Sequence, residues 1–140
     1  MKIVAAVDFS TATECILKAA KDYAKTLDAE VYLVHVEPPG PVEEYGSGPS
    51  VCIHDVKTES VRLQKNAKAL QRTGVKAIPV LLEEKQVGKT ILNQAIELKA
   101  DLIIAGTHGH GILHNRLVGG TSEEILRKSK IPVLLIPAKS

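Results

Sequence analysis

Short runs of aliphatic residues recur along the chain, separated by segments in which apolar residues return every three or four positions. Five runs are five to eight residues long and rich in Val, Ile, Leu and Ala, which is typical of strands buried on both faces of a sheet. The predicted strands are residues 2–8, 30–36, 75–82, 101–105 and 132–136. Pro79 lies inside the third strand and has no N–H to donate, so we expect that strand at an edge of the sheet.

Helical periodicity occupies the segments between these strands. The predicted helices are residues 10–27, 51–72, 86–98 and 121–129. Thr11 with Glu14, and Thr121 with Glu124, have the three-residue spacing of a capping box at the start of the first and last helices. Gly74 is predicted to end the second helix as a C-cap residue.

Strands and helices alternate, which predicts an α/β fold with a parallel, doubly wound, five-stranded sheet and helices on both faces. We expect one domain that spans residues 1–140. Residues 37–50 contain four Pro and three Gly and are predicted to form a long surface loop without helix or strand. Residues 106–117 form a second predicted loop, rich in Gly and His.

Charge and composition narrow the classes of function. The formal net charge is only +2, the basic residues are spread along the helices, and aromatic residues make up 3% of the chain. A basic stripe and aromatic stacking platforms are therefore missing from the sequence, which argues against a nucleic-acid partner. A charged leader and an apolar run of 18 residues are missing too, which predicts a cytoplasmic protein without a membrane partner.

The ends of the strands carry the candidate chemistry, because open parallel sheets bind ligands beyond their carboxyl ends, where the strand order reverses. Asp8 follows the first predicted strand, and Gly106 and Gly109 follow the fourth. Gly119 and Gly120 precede the last helix, whose N-terminal N–H groups would suit a phosphate. From the residues alone, glycines that cradle phosphates and glycines that merely make turns both remain open readings.

A family resemblance favours the first of these readings. The spacing Gly106-x-x-Gly109, nine residues, Gly119 and a small residue resembles the ATP-binding motif of the universal stress protein family. The segments KIVAAVDFS, DLIIAGTHGHG and KSKIPVLLIP are similar to that family's first strand, its fourth strand with the following loop, and its last strand. The resemblance covers essentially the whole chain. It implies an adenine nucleotide α-hydrolase-like fold with strand order 3-2-1-4-5.

The resemblance also implies a function and its residues. The protein would be a stress-response or regulatory protein that binds ATP, ADP or AMP, with Mg²⁺ held near Asp8 through the nucleotide. The backbone of Val36 would meet the adenine. The residues implied to line the nucleotide are Ala6, Asp8, Val36, Ala105, Gly106, Thr107, Gly109, His110, Gly119, Gly120, Thr121 and Ser122. Homodimers would form through the last strand, which begins at Pro132 and ends at Ile136.

One position departs from the family pattern. After the last motif glycine, ATP-binding members usually carry Ser or Thr, whereas this chain has Gly120. Loss of one hydrogen bond to a charged group would weaken ATP binding about tenfold or more, unless Thr121 or Ser122 compensates. One alternative is therefore a dimeric interaction protein of the same fold that binds no nucleotide. Another is a slow ATPase or autophosphorylating protein that acts through Asp8.

One further pattern resembles a site. Gly88-Lys89-Thr90 imitates the end of a P-loop, but Glu83 occupies the place of the first P-loop glycine, so these residues are predicted to begin a helix. No nucleophile paired with a base is visible in the sequence, which predicts at most weak ATP hydrolysis or autophosphorylation.

Histidines suggest a second kind of chemistry. His108, His110 and His114 crowd one loop, where they would either contact phosphate or solvent or hold a metal ion. His35 lies inside the second predicted strand, where we expect it to pack rather than to function.

Overall fold

Five parallel strands form the central sheet of the protein. The structure is a computed structural model and describes residues 1–39, 42–43, 51–52, 56–107 and 120–137. In chain order the elements are β1 (Lys2–Ala6), α1 (Thr13–Leu27), β2 (Glu30–Glu37), β3 (Val42–Glu43), β4 (Val51–Cys52), α2 (Val56–Arg72), β5 (Ala77–Glu83), α3 (Val87–Glu97), β6 (Leu102–Gly106), α4 (Gly120–Lys128) and β7 (Val133–Ile136).

The strands of the sheet lie in the order β5-β2-β1-β6-β7, and every neighbouring pair is parallel. Counting only these five strands along the chain, the order is 3-2-1-4-5, so the predicted fold class is confirmed. Pro79 lies in β5, which is an edge strand as its missing N–H requires. The order reverses between β1 and β6, and this pair positions the candidate site.

Alternate strand residues feed two hydrophobic layers, one on each face of the sheet. Ile3 and Ala5 of β1 pack with α1 and α2, whereas Val4 packs with α3 and α4. All three strand residues are fully buried. Period-two alternation thus places helices on both faces, as a doubly wound sheet requires. None of the helices in the described parts of the chain is long and apolar enough to span a membrane.

The segment between β2 and α2 differs from the sequence prediction. We predicted a loop without strand at residues 37–50 and a helix from residue 51, but Val42–Glu43 pairs antiparallel with Val51–Cys52. The helix begins only at Val56. The predicted end of this helix is confirmed, since Gly74 adopts a φ of +91° directly after its last turn, a conformation that glycine tolerates best.

The two predicted capping boxes are also wrong. Helix α1 begins at Thr13 with Ala12 as its N-cap, and no side chain caps it. Instead the Asp8 carboxylate accepts a hydrogen bond from the Ser10 N–H at 3.0 Å, and the Ser10 hydroxyl accepts one from the Ala12 N–H. These local side-chain acceptors hold the chain before the helix, so the first turn starts later than the Thr11 spacing suggests.

The last helix, in contrast, begins one residue before the predicted N-cap residue, Thr121. Helix α4 starts at Gly120, so Thr121 lies in its first turn rather than at the N-cap. The Glu124 carboxylate, the other half of the predicted box, forms an ion pair with Lys128 at 3.3 Å. Ion pairs between side chains four positions apart are common on helix surfaces.

A small polar cluster at the start of β2 gives a pH prediction. The Lys76 ammonium and then the Tyr32 hydroxyl donate hydrogen bonds to the Glu30 carboxylate, at 3.2 and 3.1 Å, and lower its pKa below the ordinary 4.5. A lowered pKa means that Glu30 stabilises the fold above its unfolded pKa, and that this contribution is lost as the pH falls through the folded value. We expect Lys76→Gln to raise the Glu30 pKa in an NMR titration. Lys128→Gln, which breaks a remote ion pair, is the control, and equal Glu30 pKa values in both variants would contradict the assignment.

Candidate functional site

The strand order reverses between β1 and β6, and α1, which follows β1, packs on the face of the sheet opposite to α4, which follows β6. A ligand-binding crevice is expected at such a switch point. On the β1 side lie Ala6 and Asp8, both half-buried. On the β6 side lie Ala105, which is 3% exposed, and the half-buried Gly106 and Thr107. The structure therefore brings these five predicted residues together at the carboxyl ends of the neighbouring strands β1 and β6.

Val36 comes from the neighbouring strand. It lies two residues beyond Val34, the partner of Ala6 in the β1–β2 register, so it reaches the same edge as Asp8. Its side chain is 5% exposed and belongs to the layer under α3 and α4. Its location is compatible with the backbone contact that the sequence resemblance implies.

The beginning of α4 is tied to the end of β6. The Ser122 hydroxyl, which is buried, donates a short hydrogen bond to the backbone carbonyl of Gly106. Gly120 and Thr121, the first two residues of the helix, are exposed. The N-terminus of this helix therefore lies beside the end of β6, and a helix N-terminus is a suitable place for an anion.

A cleft of about 810 Å³ extends from the start of α4 along α3. Its charged lining includes Lys85, Lys89 and Lys128 against Glu124. Sequence reasoning assigned Lys89 only a place at the start of a helix, which is confirmed, and did not relate Lys85 to a site. The spacing of four between the two lysines, at the entry to a helix, was the available signal.

Gly88 explains why a P-loop-like triplet appears here. A Cβ at this position would lie 2.7 Å from Glu124 Oε2 and 3.2 Å from Glu124 Cβ. The glycine thus lies where α3 and α4 pack closely, and a larger residue there would require the Glu124 side chain to move. The helix-start interpretation of Gly88-Lys89-Thr90 is confirmed.

His35 is buried at 4% exposure and packs as predicted, but it also belongs to a polar cluster. Its Nδ1 lies 2.7 Å from the carbonyl oxygen of Val7, and its Nε2 lies 2.5 Å from Glu37 Oε2. Glu59 of α2 brings a second carboxylate oxygen to 3.8 Å from Nε2. Sequence reasoning missed this cluster, because Glu59 is 24 positions away and no local pattern links it to His35.

Phe9 forms one wall of the same cluster. Its ring centroid lies 4.4 Å from that of His35, and the Arg62 guanidinium carbon lies 5.8 Å from the Phe9 ring centroid. Phe9 has a φ of +60°, which a bulky residue adopts rarely. The strained backbone conformation of Phe9, three residues after the end of β1, thus places this ring against the imidazole.

Several predicted site residues lie outside the described parts of the chain. They are Gly109, His110 and Gly119 of the glycine pattern, together with His108 and His114 of the histidine cluster. Their predicted contacts therefore remain predictions.

Comparison with known proteins identifies the protein family of this chain. The universal stress protein family model matches residues 1–137. The chain belongs to the universal stress protein family. A universal stress protein of Thermus aquaticus, encoded in the 3′ region of a QAH/OAS sulfhydrylase gene, is 32% identical over 135 residues, which cover 96% of each chain.

Solved structures of universal stress proteins share the architecture. The structure of the Archaeoglobus fulgidus protein in complex with dAMP superposes with a TM-score of 0.74 at 25% identity, covering 97% of both chains. A universal stress protein in complex with cAMP has the same TM-score at 18% identity and covers 99% of this chain and 98% of its own, and this likeness concerns the fold alone.

Proposed function

We propose that this universal stress protein binds an adenine nucleotide, ATP foremost, at the crevice between the ends of β1 and β6. The protein would act as a nucleotide-dependent regulatory module in the cytoplasm, with residues 1–140 forming one nucleotide-binding domain. The observation that carries the proposal is the hydrogen bond from Ser122 to Gly106, which fixes a helix N-terminus beside the switch point of the sheet. A related protein of the family was solved in complex with dAMP.

The described residues fit a nucleotide. The exposed residues Gly120 and Thr121 at the start of α4 would offer backbone N–H groups to a phosphate, and a Cβ at Gly120 would meet no atom of the described residues within 4 Å. Lys85, Lys89 and Lys128 supply positive charge along the adjoining cleft. A flexible chain of phosphates needs such anion-binding groups on one side and room on the other.

Individual roles follow from position. Ala6, Ala105, Gly106 and Thr107 would contact the ribose and phosphates from the sheet edge, and the Val36 backbone would meet the adenine. Thr121 and Ser122 would lie beside the phosphates together with the backbone N–H of Gly120. Gly109, His110 and Gly119 would line the nucleotide from the loop. Bound Mg²⁺ would neutralise phosphate charge, and Asp8 would hold it as a hard oxygen ligand.

Asp8→Asn tests both the site and the role of the carboxylate. The variant keeps an oxygen that accepts the Ser10 N–H but removes the charge, so the helix entry should persist. We expect isothermal titration with ATP and Mg²⁺ to show about tenfold weaker binding, the loss of roughly one charge-assisted interaction.

Titration without Mg²⁺ is the control for Asp8. There the variant should bind ATP as well as the wild type or better, because a carboxylate near phosphate is then repulsive. Equal weakening with and without Mg²⁺ would contradict the metal role. Unchanged binding in both conditions would place the nucleotide away from Asp8.

We also propose that two copies pair through β7. This strand lies at an edge of the sheet, and each of its four residues, all aliphatic, is half-buried. An apolar edge strand is a ready template for another strand. Sedimentation should give twice the mass of the chain, and a concentration-independent monomer would contradict pairing.

Gly120 supports the alternative of an interaction protein that binds no nucleotide, since it lacks the usual hydroxyl. Copurification distinguishes the two proposals, because only a nucleotide binder should release a 260-nm-absorbing compound on denaturation. A slow ATPase or autophosphorylating protein is a third proposal. The test is to incubate the wild type and Asp8→Ala with labelled ATP and Mg²⁺ and to measure ATP hydrolysis and transfer of the label to the protein. Identical background rates in both proteins would reject this proposal.

A further inference from the structure

The cluster of His35, Glu37 and Glu59 has the chemistry of a cation site. One imidazole nitrogen and one oxygen from each carboxylate lie within 4.8 Å of one another. The three residues come from two elements, since β2 carries His35 and Glu37 while α2 carries Glu59. The cluster thus closes the carboxyl end of β2 against the helix that covers it.

The hydrogen bond to Val7 determines what the other side of the imidazole can do. The Val7 carbonyl only accepts, so His35 Nδ1 must carry a proton to make the 2.7 Å contact. In the neutral ring, Nε2 then presents a lone pair directly towards Glu37 Oε2. Lone pair against carboxylate is repulsive, so a proton or a metal cation must lie between the two atoms.

A proton on Nε2 would satisfy one carboxylate but not both. Its single N–H can point at Glu37, while the Glu59 oxygen at 3.8 Å receives none. Glu59 has Arg62 at 3.9 Å, beyond ordinary hydrogen-bond distance, and the Arg62 side chain is more than half exposed. Glu59 is 17% exposed and receives no hydrogen bond from the imidazole, so its charge would be better balanced by a dication that reaches both carboxylates.

The arrangement matches the outer shell of known metal sites. Metal-ligating histidines usually donate the other ring N–H to a backbone carbonyl or a carboxylate, which fixes the tautomer and the ring. His35 does so through Val7, and the Phe9 ring packs against it. The imidazole is therefore oriented in advance for coordination through Nε2.

We propose that His35 Nε2, Glu37 and Glu59 bind one divalent transition-metal ion of the Zn²⁺ class. An imidazole and two carboxylates form a nitrogen–oxygen donor set suited to such an ion, and three protein ligands leave a fourth position for water. Tetrahedral ligands at about 2.0–2.2 Å from zinc lie about 3.3–3.6 Å apart. On binding, the 2.5 Å and 3.8 Å separations should converge on that value through rotation of the half-buried glutamates.

None of the three ligands of this site is itself a proposed nucleotide contact, but His35 and Glu37 flank Val36 in β2, so the test of this site is made without nucleotide. The site also differs from a Mg²⁺ held by Asp8, which would reach the protein through phosphate. Metal bound here would crosslink β2 to α2 and stabilise the folded chain by a free energy that rises with the logarithm of the metal concentration.

Equilibrium dialysis of the purified full chain against Zn²⁺, without nucleotide, tests the proposal. We expect one tightly bound Zn²⁺ per chain and a rise in melting temperature. Glu59→Gln and Glu37→Gln should each weaken binding at least tenfold while keeping the shape of the side chain. Glu123→Gln is the matched control, since it breaks an ion pair with Arg127 on α4 and should bind Zn²⁺ like the wild type.

A second control addresses the histidines at 108, 110 and 114, which a combined substitution by asparagine removes. This variant should retain the tight Zn²⁺ if the site is built as proposed. Loss of binding in the histidine variant alone, or equal binding by the wild type, Glu37→Gln and Glu59→Gln, would overturn the proposal. Absence of saturable Zn²⁺ in the wild type would overturn it as well and would leave an imidazolium–carboxylate pair.

Discussion

Gly120→Ser is expected to tighten ATP binding about tenfold or more. The added hydroxyl would donate a hydrogen bond to a charged phosphate, which is worth about 1.5–3 kcal/mol. Gly120 is the first residue of α4 and is exposed, and within the described parts of the chain a Cβ there would meet no atom within 4 Å. Its φ is not positive, so serine should enter without backbone strain.

Gly120→Ala is the matched control for the hydroxyl. Alanine adds the same Cβ and the same relief of glycine flexibility, which would stabilise the helix by about 0.5–1 kcal/mol. Isothermal titration should therefore show tighter ATP binding for the serine variant only. Equal affinities in the serine and alanine variants would mean that phosphate does not reach the start of α4.

Ile104→Ala is expected to lower the free energy of unfolding by about 2–5 kcal/mol. Ile104 is fully buried in β6, between Ala5 of β1 and Leu134 of β7 in the register, and packs in the layer under α1 and α2. Removing its side chain leaves a cavity that a tightly paired central strand cannot close. The free energy of unfolding of a native protein is typically only about 5–15 kcal/mol, so this loss is a large fraction of the total stability.

Ile96→Ala provides the comparison within the same chain. Ile96 is 65% exposed on α3, so its replacement should change the unfolding free energy by about 0.5 kcal/mol or less. Urea unfolding of the two variants measures the difference. Similar losses would contradict the assignment of Ile104 to the core. Because Gly106 and Thr107 lie two and three residues after Ile104 in the chain, we also expect weaker nucleotide binding near the unfolding transition.

Much of the fold was predictable because strand burial leaves a strong sequence signal. The aliphatic runs gave the five strands, and Pro79 correctly identified an edge. The pairing of β3 with β4 was missed, since strands of two residues carry no periodicity. The helix entry at Thr13 was missed because Asp8 and Ser10 hold the preceding turn through side-chain acceptors.

Some residues of the candidate site could likewise be predicted from the sequence, whereas others could not. Residues at strand ends, such as Asp8 and Gly106, were predictable because parallel topology alone brings them to one edge. The closeness of Glu59 to His35 was not, since it depends on how α2 packs across β2. The lysines of the cleft were overlooked for a similar reason, because only the packing of α3 against α4 brings Lys85 near Gly120.

The most direct test of the proposed function is equilibrium dialysis of the purified protein, freed of endogenous ligand, against labelled ATP with Mg²⁺. We expect saturable binding that approaches one nucleotide per chain and that unlabelled adenine nucleotides displace. No saturable binding up to millimolar ATP would contradict nucleotide binding and would favour an interaction protein of the same fold.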